Sequence, residues 1–133
     1  MKKIIFSICT VFLFLVQANA AVKAIDNYEL SKFMKKRMVV VDIRDKSYWD
    51  DTGIIPSSYK ITYKNHQNLK NWLRVFTRIV KSKSTSFVLI SKNGKKARKL
   101  SKLLDQKVGY QKIYYLKGGI DSWINDDGRV VKY

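Results

Sequence analysis

Apolar residues fall along this chain in two kinds of block. Met38-Val39-Val40-Val41, Phe87-Val88-Leu89-Ile90 and Ile113-Tyr114-Tyr115-Leu116 are short unbroken runs, the pattern of strands buried on both faces. Between them the spacing turns helical. Asp26 or Asn27 caps a predicted helix through about Arg37, with Leu30, Phe33 and Met34 as its apolar stripe. Leu69, Trp72, Leu73, Phe76, Ile79 and Val80 share one face of a second helix, opposite Lys70, Arg74, Arg78 and Lys81. Ala97, Leu100, Leu103, Leu104 and Val108 share one face of a third, opposite Lys95, Arg98, Lys99 and Lys102, and Gly109 stands where a left-handed C-cap is wanted. A short helix around Tyr48 and Trp49, a turn at Pro56 and short strands at 21–25 and 59–63 are also predicted. Gly118-Gly119 opens a closing helix through Trp123 and Ile124, and Val130-Val131 adds an edge strand. Buried strands alternating with helices specify an α/β fold: one three-layer domain, a central parallel sheet flanked by helices.

The first twenty residues stand outside this pattern. Lys2 and Lys3, the apolar run Ile4 to Val16, and Ala18-Asn19-Ala20 have the form of a secretory signal peptide removed after Ala20, leaving residues 21–133 as the folded domain. The run falls short of the about 20 residues that cross a bilayer, which argues against a permanent anchor. Export follows, with a bacterial periplasm as the expected destination. Cys9 is the single cysteine and leaves with the leader, so the mature chain has no thiol, no disulfide and no cysteine metal site. Nothing in the pattern calls for a cofactor or a metal.

Charge narrows the partners. The formal net charge is +17, and losing Lys2 and Lys3 leaves +15 on the mature chain. Such a surface favours anionic partners. The lysines are spread over several segments rather than gathered in one block, so solvation explains most of them. A small sulfur or phosphate oxyanion and a protein partner fit best. Peripheral membrane contact is a lesser alternative, and nucleic acid is disfavoured.

The candidate chemistry lies between the central strand and the basic helix. Ser91-Lys92-Asn93-Gly94-Lys95-Lys96 is a predicted tight loop, polar or cationic throughout and containing one glycine. A strand feeding a helix through such a loop aims backbone N–H groups and the positive end of the helix dipole at one point. This is an anion cradle, and Ser91 occupies the first position after the strand, where a nucleophile would sit.

Several motifs resemble the rhodanese-like (sulfurtransferase) family, in order and over essentially the whole mature chain. They are Asp42-Ile43-Arg44, Gly53-Ile54-Ile55-Pro56, the strand–loop–helix at 87–104, Gly109-Tyr110 and Leu116-Lys117-Gly118-Gly119-Ile120-Asp121-Ser122-Trp123. The resemblance implies a loop whose first residue is a cysteine, able to take a sulfane sulfur as a persulfide and pass it on. Here that residue is Ser91, and the histidine often found before Ile-Pro is Ile54. The one histidine, His66, leads into the second long helix and suggests no Ser–His–Asp relay. Asp42 and Arg44 resemble the family's structural pair at the pocket rim. Trp123 is expected to pack the closing helix on the sheet, and Tyr114 and Tyr115 to pack in the core, with the pocket mouth as an alternative place for one of them. Three readings follow, in this order: an inactive binding or regulatory module, an enzyme using a partner's thiol or Ser91 itself, and a binder of polyanions or membrane surfaces.

Overall fold

The computed structural model describes residues 20–65 and 67–133, so the predicted leader up to Asn19 and His66 lie outside the described residues. Five strands carry the buried runs: β1 Val22–Ile25, β2 Val39–Asp42, β3 Tyr59–Lys60, β4 Phe87–Ile90 and β5 Ile113–Leu116. They form one sheet in the order β1-β5-β4-β2-β3, parallel at every pairing. β4 lies at the centre, and all four of its residues are buried. Successive side chains on a strand face opposite ways. Val41, Phe87, Leu89 and Ile113 therefore join one cluster, while Val40, Val88, Ile90 and Leu116 join another.

Each cluster is closed by helices. On one face α3 (Leu69–Ile79) contributes Trp72 and Phe76, and α4 (Lys95–Leu103) contributes Ala97 and Leu100. Trp72 stacks on Phe76 at 4.6 Å between ring centres, and Phe76 meets Phe87 edge-on at 5.0 Å. On the other face α1 (Asn27–Lys35) contributes Leu30, and α5 (Gly119–Asn125) contributes Ile120 and Trp123. Burying each large apolar side chain contributes about 1.5–3 kcal/mol, so both layers are needed. The three-layer α/β architecture is the one expected from the sequence.

The boundaries differ in instructive ways. α1 is closed at its start by a capping box between Asp26 and Glu29, and it stops at Lys35, where Arg37 takes a left-handed φ of 56°. α4 begins at Lys95, so the loop is Ser91–Gly94 and the last two residues of the predicted six form the first helical turn. Beyond Leu103 the helix widens into a π-turn over Leu104–Val108, and Gly109 ends it as predicted, at φ +86°. The strand expected over 59–63 is regular only at β3, though Ile61 and Tyr63 still donate backbone bonds to Asp42 and Ile43. Val130-Val131 is no edge strand: Val131 makes a single antiparallel bridge to Ile54, which sits between Gly53 and a proline two residues on.

Two close contacts fix the loops at the carboxyl end of the sheet. The first is backbone on backbone. The amides of Ile120 and Asp121, at the start of α5, donate to the carbonyls of Ser91 and Lys92 at 3.0 Å each. A Cβ on Gly119 would lie 2.4 Å from the Lys92 carbonyl oxygen, and one on Gly94 would lie 2.8 Å from that of Leu116. The second joins α2 (Lys46–Thr52) to β2. Arg44 donates from Nε and Nη2 to both carboxylate oxygens of Asp42, from Nη1 to Thr52 and from Nη2 to the Gly53 carbonyl. The Asp42 carboxylate also accepts the Arg44 amide at 3.0 Å. Both side chains are almost wholly buried, with 3% and 1% exposed.

Gly119→Ala should therefore cost more stability than Gly109→Ala in urea denaturation. Both force alanine into a left-handed conformation, about 1–2 kcal/mol, but only Gly119 also drives a Cβ into two carbonyls, while Gly109 has open space around it. Arg44→Met should cost about 3–5 kcal/mol, because it strands a buried carboxylate; a loss below about 1 kcal/mol would show that the pair is not the clamp it resembles.

Candidate functional site

The side chain of Ser91 is folded into the cradle that the sequence predicts. It is 2% exposed, and its Oγ accepts from the backbone amides of Gly94 at 3.1 Å and Ala97 at 3.2 Å. Asn93 Oδ1 accepts from the Lys95 amide at 3.1 Å. Two side-chain oxygens thus satisfy three of the donors at the mouth of α4, the end where the helix dipole is positive. The amides of Lys92, Asn93 and Lys96 have no acceptor among the described residues. Gly94, at φ +90°, makes the left-handed turn that lets the loop close in four residues.

In front of Ser91 lies a cavity of about 190 Å³, lined by Arg44, Asp45, Tyr48, Ser91, Lys92, Asn93 and Lys96. The lysines predicted to charge it are distributed more widely than the sequence suggests. Lys92 pairs with Asp121 on α5 at 2.8 Å, and that hydrogen bond raises its pKa above the ordinary lysine value. Lys96 donates to the Tyr63 carbonyl at 3.1 Å. Lys95 is exposed on the first turn of α4 and does not line the cavity. Arg44 lines it, but its guanidinium is held by Asp42, Thr52 and Gly53. Asp42 lies beneath, buried, so this pair supports the site rather than presenting charge to it.

Two residues of the cavity wall are absent from the sequence-derived site. Both come from α2, whose start follows the end of β2, the strand paired with β4. Asp45 holds the N-cap position of α2, yet its side chain makes no capping bond, and its Oδ1 is buried without a hydrogen-bond donor among the described residues. Tyr48 follows one turn later, 39% exposed. The available signal was topological: adjacent parallel strands deliver their following residues to the same end of the sheet. Tyr114 and Tyr115 lie with the two core clusters, Tyr114 against Phe33 at 4.8 Å, and neither lines this cavity. Trp123 packs α5 on the sheet, as expected, and its Nε1 donates to the Arg129 carbonyl at 2.9 Å. A larger groove of about 630 Å³ between α1 and α5 shares no residue with the cradle.

The arrangement suits holding an anion better than attacking an electrophile. Inward-facing amides stabilise negative charge without titrating. A serine becomes a nucleophile only with a base to take its proton. No side chain among the described residues accepts a hydrogen bond from Ser91, and Asp45 shares the cavity without bonding to it.

Comparison with known proteins follows the same outline. Residues 26–126 match the family model of the rhodanese-like domain. The tRNA uridine(34) hydroxylase of Prochlorococcus marinus is 28% identical over 105 residues, covering 77% of this chain and 33% of that protein, so the chain spans about a third of this relative's length. A rhodanese-related protein from Thermoplasma volcanium superposes with a TM-score of 0.63 at 22% identity, over 84% of this chain and 99% of the other. The polysulfide-sulfur transferase of Wolinella succinogenes superposes with a TM-score of 0.66 at 16% identity, over 86% and 81% of the two chains. At these identities the solved structures speak for the fold alone. The family model, spanning both the Asp42–Arg44 clamp and the Ser91 loop, decides the affiliation: this chain belongs to the rhodanese-like family.

Proposed function

We propose that this protein is an exported rhodanese-like module that keeps the family's anion cradle and has lost sulfur transfer. It binds a small oxyanion, alone or as part of a partner protein, at the mouth of α4. The observation that carries this reading is the oxygen at position 91, buried and held by the Gly94 and Ala97 amides. Sulfur transfer from thiosulfate needs a thiolate that forms an S–S bond to the sulfane sulfur as sulfite departs with the electron pair of the broken bond. A hydroxyl without a base keeps its proton at neutral pH and forms no persulfide. The chain's one cysteine, Cys9, belongs to the predicted leader. Without sulfur chemistry, a cradle and a small cavity retain the capacity to bind.

A second reading rests on the outer faces of α3 and α4. Lys70, Arg74, Arg78, Arg98, Lys99 and Lys102 are all exposed, on helices that cover the same side of the sheet. This supports contact with an acidic partner or membrane surface, which would weaken steeply as salt is added.

Thiocyanate release from thiosulfate and cyanide separates inactivity from disguised activity. The wild-type chain should give none above background, and Ser91→Cys should give measurable turnover, since the thiol would inherit both amide donors. Robust turnover by the wild type would refute the proposal; a folded but inactive Ser91→Cys variant would show that the cradle has diverged beyond its nucleophile. Phosphate or sulfite should raise the melting temperature in proportion to the logarithm of its concentration. Export predicts that protein from a periplasmic fraction has the intact mass of residues 21–133.

A further inference from the structure

Along the sequence the lysines and arginines are scattered, but the fold collects them. Residues 52–120 contain sixteen Lys and Arg against one acid, Asp105, whereas residues 21–51 and 121–133 together contain nine of each sign. The helices of the first segment, α3 and α4, cover one face of the sheet; α1 and α5, from the other two, cover the opposite face. The excess charge of the domain therefore belongs to the segment whose helices form one layer, and the other layer is balanced. Neither α3 nor α4 contains an acidic residue. On α3, Lys70, Arg74 and Arg78 follow at intervals of four along an exposed stripe, and like charges at that spacing weaken a helix. α4 opens with Lys95 and Lys96 at the positive end of its dipole, with Arg98, Lys99 and Lys102 exposed beyond them. None of the six exposed cations on these two stripes pairs with an acid among the described residues. A face kept only for solubility mixes both signs. α1 shows that pattern, with Glu29 in its first turn and Lys32 and Lys35 in its last.

From this we infer that the α3–α4 face docks on a bilayer surface of anionic phospholipid headgroups, with Val75 entering the headgroup layer. The inference rests on the second reading above, the basic faces of these helices, and names their partner. A bilayer presents many laterally mobile phosphates, which suits cations spread over two helices rather than converging on one point. Val75 stands on the outer side of α3, 47% exposed, beside Arg74 and one turn from Asn71 and Arg78. An apolar side chain among arginines gains from a headgroup layer and gains nothing from a soluble polyanion. On α3 and α4 no aromatic ring is exposed to stack on a base, as single-stranded nucleic acid would need. Each cation near an anionic bilayer tightens binding about fivefold, and the effect fades within a Debye length. The balanced layer of α1 and α5, on the far side of the sheet, contributes little.

Co-sedimentation with vesicles tests this on residues 21–133, which hold both core clusters. Vesicles of phosphatidylglycerol and phosphatidylcholine in equal parts should bind the wild type at low salt and release it as salt rises, and pure phosphatidylcholine should not bind it. Arg74→Gln with Lys99→Gln should weaken binding more than about tenfold. Lys32→Gln with Lys35→Gln, the same change in net charge made on α1, should weaken it less than about twofold. Val75→Ser should weaken vesicle binding about threefold and leave retention by dextran sulfate unchanged. Equal losses in the two double variants would overturn the docking face. Unchanged vesicle binding by Val75→Ser would overturn the apolar contact. Retention by dextran sulfate or duplex DNA without binding to vesicles would overturn the bilayer as partner and leave the basic-face reading standing. Binding to none of the three would remove both. The wild-type comparison of vesicles with dextran sulfate decides the partner even if a variant does not fold.

Discussion

Two glycines let the turns that follow β4 and β5 approach each other backbone to backbone, and the rest of the functional end depends on that approach. Gly119 brings the first turn of α5 so near the Ser91 loop that an added Cβ would overlap two of its carbonyl oxygens, while one on Gly94 would lie 2.8 Å from the Leu116 carbonyl oxygen. The amides of Ile120 and Asp121 are thereby spent on Ser91 and Lys92. One helix N-terminus is used to hold the loop in place. With its carbonyls tied back to α5, the loop meets the start of α4 through the Gly94 and Ala97 amides on Ser91 and the Lys95 amide on Asn93. Side-chain contacts hold such a loop at the added cost of fixing rotamers. Backbone-to-backbone bonds bring none.

The serine changes what this geometry is good for. The amides of Gly94 and Ala97 are fixed by the scaffold and meet whatever side chain stands at position 91. Around a thiolate they would stabilise negative charge on sulfur and favour ionisation. Around a hydroxyl they stabilise a neutral oxygen that needs little help, acting as an internal cap for α4, with Asn93 completing it. One atom therefore separates a side chain that these amides would ready as a nucleophile from one that caps a helix. The Asp42–Arg44 clamp is indifferent to the exchange, since it holds α2 against β2 and makes no bond to Ser91.

The sequence made the scaffold legible because its strands are buried on both faces and its glycines are few. Four consecutive apolar residues in β4 can hardly be anything but a central strand. Gly109 at a helix end and Gly118-Gly119 before an apolar turn have equally few alternatives. Local boundaries were harder. Lys95 and Lys96 read as loop because they are charged, yet charge does not oppose a helix start when the next two turns bury Ala97 and Leu100. The π-turn at Leu104–Val108 leaves no mark that periodicity alone can detect. Asp45 was missed for a different reason. It is remote from Ser91 in sequence, and only the parallel pairing of β2 with β4 makes it a neighbour of the cavity. The predicted anion loop counts Lys92, Lys95 and Lys96 together, whereas in three dimensions Lys92 and Lys96 each have another partner.

Net charge and local charge act here at different ranges. The chain's formal +17 produces a field that draws any anion toward the surface, but across exposed lysines it is screened within about 8 Å at physiological salt and cannot distinguish one tetrahedral ion from another. Discrimination would need a group inside the cavity, and the cations nearest to it are already committed: Arg44 to Asp42, Lys92 to Asp121 and Lys96 to the Tyr63 carbonyl. What remains without a partner among the described residues at the loop and the helix start is backbone, the amides of Lys92, Asn93 and Lys96. Net charge therefore bears on how an anion would arrive, and the fixed loop on whether it would stay.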